Sequence, residues 1–238
     1  MTDAPSFTLT LDHLVVAART LEEGRQWCRD ALGVDAAGGG KHAGLATHNA
    51  LLRLGAANER RYLEIIAIDP TAGNANFPRW FGLDSASVQR EIALGPRLVA
   101  WVARCGGRRE SGDGATCAGP DAAIDALAAT PGYAATVVRA ASRADFRWRF
   151  AFTPDGERIA GGVLPHLIQW DVAVHPCDRL PDSGVRLSSL LLGAPAPEAT
   201  SAMLTALNFS DVDVHVAQSA APQLVATLIT ARGIVTLD

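Results

Sequence analysis

A histidine and a glutamate each lie in a short apolar segment of this chain, and both side chains can bind a metal ion or move a proton. His13 lies in the segment LDHLVV at 11–16, and Glu64 lies in the segment YLEII at 62–66. An ionisable side chain inside an apolar strand costs free energy unless a partner compensates it, and a buried carboxylate must be paired, metal-bound or protonated. We therefore predict that Glu64 lines a binding site as a metal ligand or catalytic base, with His13 beside it.

Both residues also have purely structural explanations. His13 could satisfy its ring against backbone groups or cap the end of a strand. Glu64 could form an ion pair with an arginine such as Arg53 or Arg61. The residues alone leave these alternatives open.

His166 is a further candidate, in a predicted strand at 164–170. Because side chains alternate along a strand, His166 and Trp170 share a face. If His166 lines a site, Trp170 is expected to form part of its wall. The alternative is that His166, which follows Pro165, only begins the strand.

The segment THN at 47–49 adds two polar candidates. His48 could line the pocket, bond within a turn or orient His13, and Asn49 is predicted to bind substrate. His42 follows three glycines and is predicted to lie in a loop that closes over a ligand, with plain solvent exposure as the alternative.

The segment 146–152 alternates aromatic and basic residues. One face carries Phe146, Trp148, Phe150 and Phe152. The other face carries Arg147 and Arg149. The usual explanation is a core face opposite a solvated face. If the arginines instead faced the site, they would favour an anionic substrate, because guanidinium groups bind carboxylates through two hydrogen bonds.

One order of elements, β-α-β-β-β, recurs along the chain and would position these residues. The first pass has a strand at 8–17 and a helix that opens with the Thr20-x-x-Glu23 spacing of a capping box and stops at Gly33. A glycine-rich loop and further strands follow, with a short strand predicted at 33–37 or 42–45. The second pass runs from 97 to 171, with its helix predicted at 120–129, and a shorter third pass begins at 185.

The order predicts an α+β fold of repeated modules with mainly antiparallel sheets. The predicted boundaries are 1–70 for the first module, 71–95 for a linker, 96–178 for the second module and 179–238 for the third. The linker aromatics are predicted to pack between modules or to form a lid: Phe77, Trp80 and Phe81. Superimposing the passes sets His13 opposite roughly Ala100, and Glu64 opposite His166. Only the first pass carries both candidate residues.

Composition excludes several classes of function. The 238 residues are 48% apolar and 19% charged, as in an ordinary globular protein, and no apolar run approaches the ~20 residues of a membrane span. The net charge is −4, without the basic clusters that bind nucleic acid. The four cysteines form no metal or redox motif and are predicted to be free thiols. The N-terminus does not resemble a secretion signal, so we expect a cytoplasmic protein with neither a membrane nor a nucleic-acid partner.

The chain resembles the vicinal oxygen chelate superfamily, and within it the glyoxalase-like domain proteins. The resemblance rests on four segments: LDHLV at 11–15, GLATHN at 44–49, YLEIIAIDP at 62–70 and LIQWD at 167–171. It implies that two modules pair into a cupped sheet. It also implies that metal ligands come from the first and fourth strands of the modules.

The resemblance assigns His13 to the first-strand ligand and Glu64 to the fourth-strand ligand of the first module. His166 takes the fourth-strand position of the second module, whereas Ala100 and its neighbours cannot coordinate. The implied set is two histidines and one carboxylate around Fe, Mn, Zn, Ni or Mg, with open positions for a chelating substrate.

Two functions follow as hypotheses. The first is a metal-dependent lyase, isomerase or dioxygenase that acts on a small oxygen-rich substrate, with Glu64 or a metal-bound water handling the proton. The second is a metal-free protein that sequesters a small molecule between Trp101, Trp148 and Trp170. The third module is expected to complete a sheet or to form a homodimer.

Overall fold

A computed structural model describes residues 8–56, 58–106 and 123–238 of the chain. Within these ranges the strands form two sheets, one of eight strands and one of four. Cys117 and the predicted start of the second helix lie outside the described residues. Cys28, Cys105 and Cys177 are buried free thiols.

The first module has the predicted element order. Its elements are β1 (Leu9–Ala17), α1 (Leu21–Trp27), β2 (Ala37–His42), β3 (Thr47–Arg53) and β4 (Tyr62–Ile68). The Thr20 side chain caps α1 by accepting from the Glu23 N–H at 3.1 Å. A π-helical turn extends the helix, which ends at Gly33 in the left-handed conformation.

The glycine-rich segment expected to be a loop is strand β2. Its register with β3 is irregular between Ala37 and Gly40, as at a β-bulge. Gly39 has φ +93°, and a Cβ there would lie 2.1 Å from the Asn49 carbonyl oxygen. The glycines therefore let β2 approach β3 closely, and the strand placements expected at 33–37 and 42–45 are wrong.

The segment expected to be a linker holds α2 (Ala86–Ala93), which Ser85 caps. A short turn at Trp80–Gly82 precedes the helix and buries the side chains of Trp80 and Phe81 against the eight-stranded sheet.

The second module repeats the order with β5 (Arg97–Cys105), α3 (Ala123–Ala128), β6 (Val137–Arg143), β7 (Phe146–Phe152) and β8 (His166–Trp170). The eight strands run in the order β2-β3-β4-β1-β5-β8-β7-β6. Strands β1 and β5 pair antiparallel at the centre, whereas β1 pairs parallel with β4 and β5 parallel with β8. The two modules therefore have equivalent strand orders, and the predicted α+β fold of paired modules is confirmed.

The last part of the chain forms the second sheet. Its elements are β9 (Arg186–Ala194), α4 (Pro197–Ala206), β10 (Val214–Gln218), β11 (Gln223–Thr230) and β12 (Gly233–Leu237). The strand order is β10-β9-β11-β12, so the first strand of the segment lies inside the sheet rather than at its edge. The segment thus shares the element order of the other modules but not their strand pairing.

The eight-stranded sheet has two buried faces with different partners. On the outer face, Leu14, Leu63 and Trp101 share one core cluster with Leu190 and Leu192 of the second sheet. On the inner face, side chains of both modules pack with Trp80 and Phe81. Among the described helices, none is long and apolar enough to cross a membrane.

Candidate functional site

Polar side chains from the four strands of the first module form a line across the inner face. In strand order they are His42, Asn49, Glu64 and His13. The second module supplies an aromatic half, with the side chains of Trp148, Phe150 and Trp170. The inner face therefore places ionisable groups opposite an apolar wall.

The Glu64 carboxylate is held from both sides. The Asn49 amide Nδ2 donates to Glu64 Oε1 at 2.6 Å, and Glu64 Oε2 lies 3.5 Å from His13 Nε2. Asn49 Oδ1 accepts from the Gly40 N–H at 2.9 Å and from Arg143 at 3.1 Å, which fixes the orientation of the amide. Glu64 is 6% and His13 is 3% exposed. This geometry creates a buried acid–base pair.

Asp12 holds the other side of the His13 ring. Asp12 Oδ1 lies 2.7 Å from His13 Nδ1. Its Oδ2 accepts from Arg104 at 3.0 Å and from Trp170 Nε1 at 3.1 Å, and lies 3.1 Å from His175 Nε2. These contacts orient the imidazole and leave its Nε2 facing Glu64.

The sequence-based interpretation missed Asp12, Arg104 and His175. Regular alternation along β1 puts Asp12 and His13 on opposite faces. An irregularity in the pairing of β1 with β5, between Leu11 and His13, breaks that alternation, as β-bulges do. Asp12 can therefore reach the His13 ring.

The surroundings shift the pKa values of His13, Glu64 and Asp12. Burial alone would lower the pKa of His13, but its contacts with Asp12 and Glu64 outweigh burial and raise the pKa to about 8. Burial would raise the pKa of Glu64, but His13 and the Asn49 amide bring it below its ordinary value. Burial would also raise the pKa of Asp12, but its contacts with His175 and His13 outweigh burial and lower that pKa strongly. At neutral pH, His13 is an imidazolium between two carboxylates.

We expect the His13 ring to titrate at about pH 8 in the folded protein. Since this pKa exceeds the unfolded value of 6.5, the stabilisation from His13, roughly 2 kcal/mol for ~1.5 pKa units, is fully present below pH 6.5 and is lost as the pH rises through 8. Nitrogen-15 NMR of the imidazole signals measures the titration. A midpoint at or below 6.5 would contradict the charged pair.

The third predicted metal ligand, His166, does not join the pair. It lies in the same row as His13 and Val102, so two strand spacings, roughly 10 Å, separate the His13 and His166 backbones. Its ring packs 5.0 Å from Phe81 and 5.7 Å from Phe150, measured between centroids. Neither ring nitrogen meets hydrogen-bond geometry with a described residue. Burial lowers the pKa of His166 to about 3, and the Ala151 backbone only partly offsets that lowering.

A metal site of three protein ligands therefore does not fit this arrangement. Within residues 8–56, 58–106 and 123–238, no three His, Cys, Asp or Glu side chains converge closely enough to hold an ion. His13 and Glu64 supply only two donors, and a structural or catalytic zinc site uses at least three from the protein.

Two of the three tryptophans predicted to bind substrate line the inner face. Trp148 and Trp170 contact each other there, with 5.8 Å between ring centroids. The prediction for Trp101 is wrong, because Ala100 and Val102 point inward and Trp101 points outward. Its indole N–H donates to the Val163 carbonyl at 3.0 Å inside the outer core.

The prediction that His48 lies in the pocket is also wrong. Asn49 points inward on β3, so His48 points to the other face. Burial lowers the pKa of His48, and the charged groups that act on it are Asp69, Lys41 and Arg25 rather than Glu64. The role of orienting His13 belongs to Asp12 instead.

His42 lies at the end of β2 rather than in a mobile loop. Its Nδ1 is 3.0 Å from Thr47 Oγ1, and its Nε2 is 3.4 Å from Asn49 Nδ2. Burial lowers its pKa to about 4, so the ring is neutral at pH 7. His42 is thus a neutral hydrogen-bonding group at the edge of the polar line.

The arginines considered as structural partners of Glu64 bind elsewhere. Arg61 pairs with Asp211 and Asp213, and Arg53 donates to the carbonyls of Cys177 and Ala56. On β7, Arg149 pairs with two aspartates and Arg147 is exposed, whereas the aromatic face of the strand points inward. Within the described part of the chain, the residue at ion-pair distance from Glu64 is His13.

We call the space over the inner face of the eight-stranded sheet the cup. The line of polar side chains ends beside an open cleft at the mouth of this cup. The cleft has a volume of about 450 Å³. His42, Trp80 and Trp148 line both this cleft and the deeper space above His13 and Glu64. The cleft therefore adjoins the space above the acid–base pair, which itself has a volume of about 40 Å³.

The sequence profile of the glyoxalase-like domain family matches residues 11–208. No curated protein matches the sequence. A hypothetical protein from Staphylococcus aureus shares the fold over 97% of this chain and 98% of its own, with a TM-score of 0.58 and 11% identity.

Two enzymes of known structure are more distant. Methylmalonyl-CoA epimerase from Mycobacterium tuberculosis has a TM-score of 0.41 and 17% identity, over 71% of this chain and 91% of its own. A mutant of 4-hydroxymandelate synthase from Streptomyces coelicolor has a TM-score of 0.47 and 13% identity, over 98% of this chain and 63% of its own.

Proposed function

Because this chain belongs to the glyoxalase-like domain family, we propose that it is an enzyme that moves a proton on a small substrate held in the cup. Glu64 is the catalytic base and His13 the acid. One observation carries the proposal: Glu64 Oε1 is fixed by Asn49 while Oε2 faces the Nε2 of a histidine that Asp12 holds from behind. Substrates with an acidic C–H beside a carbonyl suit such a pair.

The proposed reaction is an isomerisation or epimerisation without net oxidation. Glu64 takes a proton from the carbon beside a carbonyl, and the electron pair of the C–H bond moves toward the carbonyl oxygen. The His13 Nε2–H donates a hydrogen bond to that oxygen, and Asp12 stabilises the imidazolium. Glu64 then returns the proton to the neighbouring atom, which completes an isomerisation; in an epimerisation the enolate turns over first, and Glu64 returns the proton to its other face. General acid–base catalysis of this kind contributes about 10²- to 10⁴-fold.

Substrate binding strengthens the base. In the free protein His13 lowers the pKa of Glu64. When a substrate oxygen takes the His13 hydrogen bond, that stabilisation of the Glu64 carboxylate weakens, and its pKa rises toward the range of an effective base.

Solvent-deuterium incorporation tests the proposal. The protein is incubated in D₂O with pyruvate, 2-oxobutyrate, phenylpyruvate and the neutral ketone phenylacetone, and mass spectrometry follows exchange beside the carbonyl. We expect catalysed exchange in at least one compound. Exchange in none of them would contradict the proposed reaction.

The same exchange experiment with a chelator tests whether the reaction needs a metal ion. Since the steps above use only side chains of this chain, we expect the exchange rate to survive EDTA treatment and to be unchanged by added Mn²⁺ or Zn²⁺. Loss of exchange on chelation, restored by one of these ions, would instead support the metal-dependent enzyme expected from the sequence.

The second candidate, a metal-free binding protein, is favoured by the aromatic wall of Trp148 and Trp170. It predicts ligand-dependent tryptophan quenching without deuterium exchange for the same compounds.

The homodimer and the cytoplasmic location stay predictions.

A further inference from the structure

Two arginines of β6 face the cup, which the sequence-based interpretation did not consider. Arg143 donates to Asn49 Oδ1 at 3.1 Å, next to the amide that holds Glu64. It is half-buried, and its Cδ would lie 2.8 Å from a Cβ built at Gly40. Arg139 lies at the mouth of the cleft, with its Cζ 4.4 Å from the centre of the Phe77 ring.

Neither guanidinium has a carboxylate partner within the described parts of the chain, where no ion pair to Arg139 or Arg143 lies within 4.0 Å. Lys41, the other basic residue at the cleft, pairs instead with Asp69 at 2.7 Å. His42 is neutral, and the Glu64 charge is already paired with His13. Arg143 therefore brings an uncompensated positive charge to the edge of the acid–base site.

A half-buried guanidinium favours an anion, because it loses hydration that a carboxylate can replace through charge-assisted hydrogen bonds. The cleft beside it is largely apolar, with Phe77, Trp80 and Trp148 in its lining. Arg143 and Arg139 are four residues apart on one strand, about 13 Å. The outer arginine is thus placed to attract an anion and the inner one to bind it.

We propose that the site takes an organic carboxylate with an apolar or aromatic body. Arg143 binds the carboxylate, the aromatic lining binds the body, and the carbon near the carboxylate faces Glu64. This inference rests on the proposed acid–base function for the role of that carbon. Binding of the carboxylate can be measured without any reaction.

Binding of a charged and a neutral ligand of equal shape tests the inference. Tryptophan fluorescence is titrated with 4-phenylbutyrate and with 4-phenylbutanamide at fixed salt. A hydrogen bond to a charged group contributes about 1.5–3 kcal/mol, so we expect the acid to bind roughly 10- to 100-fold more tightly than the amide.

Three variants test whether Arg143 causes the preference for the acid over the amide. Arg143→Gln should abolish it, and Arg143→Lys should keep part of it, because an ammonium retains the charge but not the fork geometry. Arg147→Gln, on the solvent side of the neighbouring strand, is the matched control and should bind like the wild type. Circular dichroism confirms that each variant is folded.

Equal binding of the acid and the amide, absence of saturable binding of the acid, or an acid preference that persists in Arg143→Gln would each overturn the inference. Glu64→Gln should still prefer the acid. If that variant binds normally and the wild type exchanges no deuterium, the proposed function fails and the carboxylate site stands. If the wild type exchanges deuterium but shows no acid preference, only the carboxylate site fails.

Discussion

Glu64→Gln is expected to lower the rate of solvent-deuterium incorporation at least about 100-fold, or roughly 2.7 kcal/mol in activation free energy. The glutamine keeps the shape of Glu64 and can still accept from Asn49 through its carbonyl oxygen. It cannot accept the substrate proton. It also removes one of the two negative charges beside His13, so the pKa of His13 should fall in this variant.

The control for this prediction is Glu22→Gln, which replaces an exposed glutamate of α1. Glu22→Gln should exchange deuterium at the wild-type rate. Wild-type exchange in Glu64→Gln, in a variant with an unchanged unfolding transition, would show that another group takes the proton.

Asp12→Asn is expected to destabilise the protein by about 3–5 kcal/mol, because it removes one partner of a buried charge network. The carboxylate is 0% exposed and interacts with His13, Arg104, Trp170 and His175. An asparagine cannot neutralise Arg104 and the His13 imidazolium, and its NH₂ group would face other donors. Urea unfolding followed by tryptophan fluorescence measures the loss.

Asp35→Asn provides the matched control, since it breaks an exposed pair with Arg29. Surface pairs contribute about 0–1 kcal/mol, so this variant should unfold close to the wild type. If Asp12→Asn lost less than 1 kcal/mol, or if the His13 ring still titrated near pH 8 in it, Asp12 would not be the group that holds His13.

Much of the fold could be predicted from the sequence because its apolar periodicity and helix signals agree with the structure. The capping box at Thr20 and the glycine at Gly33 mark both ends of the first helical segment. An ionisable residue in each apolar segment identified His13 and Glu64, which the structure brings together. The alternation of side chains along a strand also predicted that the aromatic residues of β7 are the buried ones.

The remaining errors come from long-range pairing. The irregular register of β1 depends on its pairing with β5, so the local residues gave no signal for the position of Asp12. Trp101 is a large aromatic residue that suits a ligand site and a core equally, and only strand register decides between them. The glycines of β2 favoured a loop locally, whereas close packing against β3 makes them part of a strand.

The roles of Glu64 as base and His13 as acid can be measured most directly through the pH dependence of wild-type deuterium exchange, expressed as kcat/KM. The pair is active when Glu64 is ionised and His13 is protonated. We predict a plateau that begins below pH 4.5, where Glu64 ionises, and ends in a fall through about pH 8 as His13 loses its proton. A rate that keeps rising through pH 8 would contradict the account, since it would require neutral His13 or another base.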